Sequence, residues 1–116
     1  MIKKIRIPLA PISVNECWQG RRFKTSKYDD FIQDMLLVMP ARKCVEGALS
    51  IHLTFGLPSL LRGDLDNLVK PVLDCMVKKG WIKDDRYINE IVARKVKSKE
   101  KYIEIEINEQ HTYQDP

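Results

Sequence analysis

No stretch of this sequence is apolar for anything close to the roughly 20 residues a helix needs to cross a bilayer. Its start, Met1-Ile2-Lys3-Lys4, also lacks the apolar core of an export signal. These absences predict a cytoplasmic chain with no membrane partner. Cysteine is sparse as well: Cys17, Cys44 and Cys75 are three in number and far apart, giving neither a disulfide framework nor the Cys-x-x-Cys spacing of a zinc site. They read as reduced, packed thiols. His52 has no second imidazole at helical or hairpin spacing, so it reads as a solvated sheet residue and not as a metal ligand. No internal repeat or low-complexity linker interrupts the chain.

What is present is charge and apolar periodicity. The 116 residues are 44% hydrophobic and 31% charged, enough for one compact core and too few for two ordinary domains. A single domain over residues 1–116 is expected, with 109–116, poor in apolar side chains, fraying at the end. A net charge of +4 and a pI near 9.0 favour anionic partners, of which nucleic acid is the commonest.

Ile5, Ile7 and Leu9 alternate with Lys4, Arg6 and Pro8, the period of a strand with one buried face. Residues 11–27 then break into a polar, basic connection carrying Arg21, Arg22, Lys24 and Lys27, with the aromatics Trp18 and Phe23 among the charged residues. Such a loop suits phosphate contacts with the aromatics against sugar or base. It equally suits a solvated charge run whose aromatics cover the edge of the core. Ser26 followed by Asp29 resembles a capping box, and Tyr28, Phe31, Ile32, Met35, Leu36 and Met39 recur at helical spacing up to Pro40.

Leu49, Ile51, Leu53 and Phe55 predict a second strand, and Leu68, Val69, Val72, Leu73 and Met76 a second helix ending at Lys78-Lys79-Gly80. Pro71 lies inside that helix and cannot donate a backbone hydrogen bond, which leaves open whether the first turn is kinked or separate. Residues 87–97 read as a third strand. Ile103, Ile105 and Ile107 mark a fourth after the polar turn at 98–101, and the last two strands are expected to pair as a hairpin. The order is β-α-β-α-β-β, an α+β chain.

Two acidic clusters stand out. Arg62-Gly63-Asp64-Leu65-Asp66-Asn67-Leu68-Val69-Lys70 feeds a glycine turn into the second helix, and Lys83-Asp84-Asp85 follows the other end of that helix. If the chain turns back on itself, four carboxylates share one pocket, where their repulsion favours a compensating cation. Aspartate oxygens without histidine or thiolate suit Mg²⁺ or Mn²⁺, and in a basic protein that combination suggests phosphodiester hydrolysis. The spacing of Asp66, Lys70 and Asp74 puts Lys70 one turn from each. The plainer alternative is that Asp64 or Asp66 caps the helix and Asp84 and Asp85 form a turn.

At these residues the chain resembles the RusA family of Holliday-junction resolvases. Asp64-Leu65-Asp66-Asn67-Leu68, Lys70, Asp74, Gly80 and Asp84-Asp85 follow the family's order and spacing, and Pro11-x-Ser13-x-Asn15 resembles its N-terminal segment. The resemblance covers nearly the whole chain. It implies a mixed four-stranded sheet with two helices and a Mg²⁺- or Mn²⁺-dependent endodeoxyribonuclease. Such an enzyme acts as a homodimer and cuts four-way-junction DNA by paired symmetric nicks.

It also implies roles: Asp64, Asp66 and Asp85 as metal-binding and catalytic, Asp84 beside them as a further metal-binding residue, and Lys70 as the catalytic lysine. Asn15, Arg21, Arg22, Lys24, Lys27 and Arg62 are then expected to face DNA. The chain departs from the family at Tyr87, where many relatives carry glutamine, and at Glu16, where a basic residue would aid phosphate binding. The alternatives are a branched-DNA-binding module that does not cut and a nuclease that prefers other branched DNA.

Overall fold

A computed structural model describes residues 2–14, 18–19, 23–24, 26–61 and 63–109. The elements run β1 (Ile2–Ile7), β2 (Trp18–Gln19), β3 (Phe23–Lys24), α1 (Ser26–Val38), β4 (Leu49–Leu57), α2 (Leu65–Lys79), a 3-10 turn (Asp85–Tyr87), β5 (Ile88–Lys97) and β6 (Tyr102–Glu109). The main sheet has the order β1-β6-β4-β5. β6 is antiparallel to both β1 and β4, whereas β4 and β5 are parallel. The α+β class, the mixed four-stranded sheet and the element order are as the sequence predicts. None of the described helices is long and apolar enough to cross a membrane.

Two features differ from expectation. The basic connection contains a two-stranded ribbon, β2 against β3, pairing Trp18 with Lys24 and Gln19 with Phe23. Strands of two residues are too short to leave a periodic signal. The second difference is a correction: β5 and β6 are consecutive but do not form a hairpin, because β4 lies between them. The link at 98–101 crosses the end of β4, and the Ser98 N–H donates to Leu57 O at 2.8 Å. β4, α2 and β5 instead make a β-α-β crossover, the connection that parallel neighbours require.

Alternation then decides which face is covered. Leu49, Ile51, Leu53 and Phe55 of β4 and Ile103, Ile105 and Ile107 of β6 are buried. They share one core with Tyr28, Phe31, Ile32 and Met35 of α1 and Leu68, Val72, Cys75 and Met76 of α2. Each large apolar side chain so buried contributes about 1.5–3 kcal/mol. The alternate residues line the opposite face, where Lys4, His52, Thr54, Arg94, Glu104 and Glu106 surround a small depression. His52 is thus a half-exposed sheet residue among polar neighbours.

α2 runs unbroken through the buried Pro71, so its first turn is neither separate nor displaced into another element. The missing donor leaves the Asn67 carbonyl without its i+4 partner. Gly80 ends the helix in the left-handed conformation, φ 82°. Trp81, fully buried, then donates from Nε1 to Pro40 O at 2.9 Å. The Val45 N–H donates to Trp81 O at 2.8 Å. This clamp fixes where the chain emerges toward Asp84 and Asp85.

Candidate active site

The site is built on the entrance of α2. Gly63, with φ 74°, turns the chain in the left-handed region that favours glycine and delivers Asp64 to the N-cap position. Asp64 has the extended backbone of a cap, φ −81° and ψ 135°, but its side chain makes no capping hydrogen bond. Capping therefore does not explain it. Asp66 is exposed on the first turn.

Lys70 lies one turn further along α2 and joins the two acidic segments. Its Nζ donates to Asp85 Oδ2 at 2.6 Å and lies 3.4 Å from Asp74 Oδ1. Lys70 is turned toward Asp74 and Asp85, not back toward Asp66. The bond to Asp85 is the main cause holding the Lys70 pKa above its ordinary value, and the same bond holds the Asp85 carboxyl below its own. Asp74 is braced from α1, since the Tyr28 hydroxyl donates to its Oδ2 at 3.4 Å.

The adjacent acids divide their work. Asp84 caps the 3-10 turn, accepting from the Arg86 N–H at 3.0 Å, which is the turn role open to it from the sequence. Asp85 instead points to α2. The turn after Trp81 thus supplies one structural carboxylate and one aimed at the lysine.

The donors fit a hard divalent cation in kind: Asp64, Asp66 and Asp85 offer carboxylate oxygens only. They are not closed around a common point. Among the described residues no three carboxylate, imidazole or thiolate side chains stand close enough together to hold an ion. The helix gives the reason, since Asp66 is one turn, about 6 Å of rise, from the lysine that holds Asp85. Lys70 bonds only Oδ2 of Asp85, so its Oδ1 remains available as a donor oxygen.

Lys95 of β5 also belongs to this framework, though no pattern of residue types marks it. Its Nζ donates to Leu60 O at 2.6 Å and Gly63 O at 2.9 Å, fixing the loop before Asp64. Contacts to main-chain carbonyls more than 30 residues away leave no pattern of residue types. Of the residues expected to face DNA, Lys27 is exposed on the first turn of α1, beside a groove lined by Leu9, Ile12 and Phe31. Lys24 is placed by the backbone of β3. Asn15, Arg21, Arg22 and Arg62 lie outside the described residues. Cys75 is buried and Cys44 half-buried, as expected of packed cysteines; Cys17 is outside the described residues.

Fold and site define a small basic α+β protein in which one lysine, Lys70, joins two acidic segments. Comparison with known proteins agrees. The profile of the family described as endodeoxyribonuclease RusA matches residues 14–108. The chain is also similar to the crossover junction endodeoxyribonuclease rusA of Enterobacteria phage HK97, at 30% identity over 94 residues, covering 75% of this chain and 78% of that protein. The chain belongs to the RusA family of endodeoxyribonucleases.

Proposed function

We propose that this protein is a divalent-metal-dependent endonuclease that resolves four-way DNA junctions by paired symmetric nicks, acting in the cytoplasm as a homodimer. The observation that carries the proposal is the bond from Lys70 to Asp85. It brings the acidic turn onto the helix that Asp64 and Asp66 begin, so the two clusters serve one locus. Asp64, Asp66 and Asp85 would hold Mg²⁺ or Mn²⁺, with Asp84 behind them fixing the turn. When bound, such an ion supplies Lewis-acid stabilisation of phosphate charge and a more acidic water.

Lys70 has a different task. The bond to Asp85 raises the Lys70 pKa, which favours the charged ammonium. It offers fixed positive charge to a phosphate whose negative charge grows in the transition state. A two-fold-symmetric junction needs two such loci at matching positions, which an isologous dimer provides. The name of the phage relative, a crossover junction endodeoxyribonuclease, supports the same substrate.

The test is incubation of the purified protein with a synthetic four-way junction and Mg²⁺ or Mn²⁺. Paired nicks in opposing strands are expected, and Asp66→Asn should abolish them while junction binding persists. Nicks confined to flaps or other branches would assign a different branched substrate. The alternative reading is a module that binds branched DNA without cutting. Binding without nicks under either metal would establish that alternative.

A further inference from the structure

The loop leading into Asp64 holds an apolar side chain out in solvent. Leu61 is 95% exposed. A single exposed leucine is ordinary, but this one is mounted on a braced support. Its own N–H donates to Ser59 Oγ at 3.3 Å. The carbonyls of Leu60 and Gly63, on either side of it, both accept from Lys95 Nζ. The main chain around Leu61 is fixed to β5 while the side chain faces water.

We infer that Leu61 is a wedge that enters the branch point of junction DNA and selects branched over linear duplex. The inference rests on the endonuclease reading above, which places a DNA backbone at Asp64. Two residues separate Leu61 from Asp64, a span of no more than about 11 Å even when fully extended. A leucine at that distance from the cutting locus lies within reach of neighbouring bases.

Forcing an aliphatic side chain between stacked bases costs a few kcal/mol per step in continuous duplex. At a branch the stack is already interrupted, so much of that cost is absent and the exposed ring face gains apolar cover. The discrimination is therefore in the sign required for a junction enzyme. Lys95 acts as a positioning residue, since it holds the loop without itself carrying the apolar surface.

The experiment uses full-length Asp66→Asn protein, so that binding is seen without cutting. The probes are a four-way junction with 2-aminopurine at the branch and a linear duplex with 2-aminopurine at its centre. Binding should raise the junction fluorescence and leave the duplex signal unchanged. Adding Leu61→Ala should remove the rise and reduce the preference for junction over duplex about tenfold, the scale of leaving one leucine side chain unburied. Leu61→Met should retain both effects.

Lys95→Met, with Leu61 intact, should weaken the fluorescence rise. An unchanged rise in the Leu61→Ala variant overturns the wedge while leaving the nuclease reading in place. Loss of dimer mass in that variant, with the fluorescence unchanged, overturns it in favour of a second copy covering Leu61. If the wild-type protein neither binds nor nicks the junction, the wedge and the nuclease reading fall together.

Discussion

Lys70 on α2 and Asp85 in the turn before β5 are 15 residues apart in the chain and 2.6 Å apart in space. The approach depends on the buried clamp at Trp81, which returns the chain alongside α2 after Gly80. The bond itself lies at the surface, with Lys70 and Asp85 side chains 55% and 40% exposed. Packing positions the pair, and its exposure limits what it contributes to stability.

Replacing Lys70 by Met keeps the length of the side chain and removes the charge. Exposed pairs are worth about 0–1 kcal/mol, so the melting temperature should move little. Junction cleavage should fall on the order of 100-fold or more, the scale of losing one electrostatic donor to the transition state. Thermal melts and single-turnover cleavage measure the two. A stability loss well above 1 kcal/mol would make Lys70 chiefly a structural residue.

The pH dependence of the pair has a fixed sign. Lys70 lowers the Asp85 pKa, so the contribution of Asp85 is present above its ordinary value of 3.8 and is lost as pH falls through its lower folded value. Asp85 raises the Lys70 pKa, so the contribution of Lys70 is complete below 10.5 and is lost as pH rises through its higher folded value. The melting difference between wild type and Lys70→Met should therefore be flat from about pH 5 to about pH 9 and shrink at both extremes. A maximum near neutral pH would point to another titrating group.

Gly56 of β4 faces Tyr102 of β6, and a Cβ at Gly56 would overlap the Tyr102 ring. The ring cannot easily yield, because the Arg6 guanidinium lies over it at 4.0 Å from the centroid and is itself held by Glu104. Gly56→Ala should cost about 1–3 kcal/mol by overpacking, measured by urea unfolding. In a Tyr102→Ala background the same substitution should cost far less. Equal costs in both backgrounds would show that the ring is not the obstacle.

Trp81→Ala should destabilise by about 3–5 kcal/mol, as large buried aromatics do. Trp81→Phe keeps most of the apolar contact and loses the bond to Pro40 O, for about 1 kcal/mol. Because the clamp sets the path to Asp85, junction cleavage by the folded Phe variant should fall more than its stability implies. Cleavage at the wild-type rate would show that Asp85 reaches Lys70 without it.

Much of this was legible in the residues. Helical spacing from Tyr28 to Met39 and from Leu68 to Met76 marked both helices, and alternation at Leu49 to Phe55 and Ile103 to Ile107 marked two central strands. The carboxylates were singled out by type and spacing. Alternation says only that a strand has a buried face, so it could not reveal that β6 passes over β4 instead of pairing with β5. The short link at 98–101 looks the same in either arrangement. Nor could residue type separate Asp84, which caps a turn through one N–H, from Asp85, which crosses to α2.

By itself the sequence determined the two helices, the strands of the main sheet, the apolar side chains of the core and the acidic and basic residue types available for chemistry, because these follow from local periodicity and side-chain charge. Tertiary structure decided which of those groups meet. The β4-α2-β5 crossover and the buried Trp81 set distances between residues far apart in the chain, which no local preference encodes. They join Lys70 to Asp85 and tie Lys95 to the loop before Asp64, and so turn separated motifs into one locus.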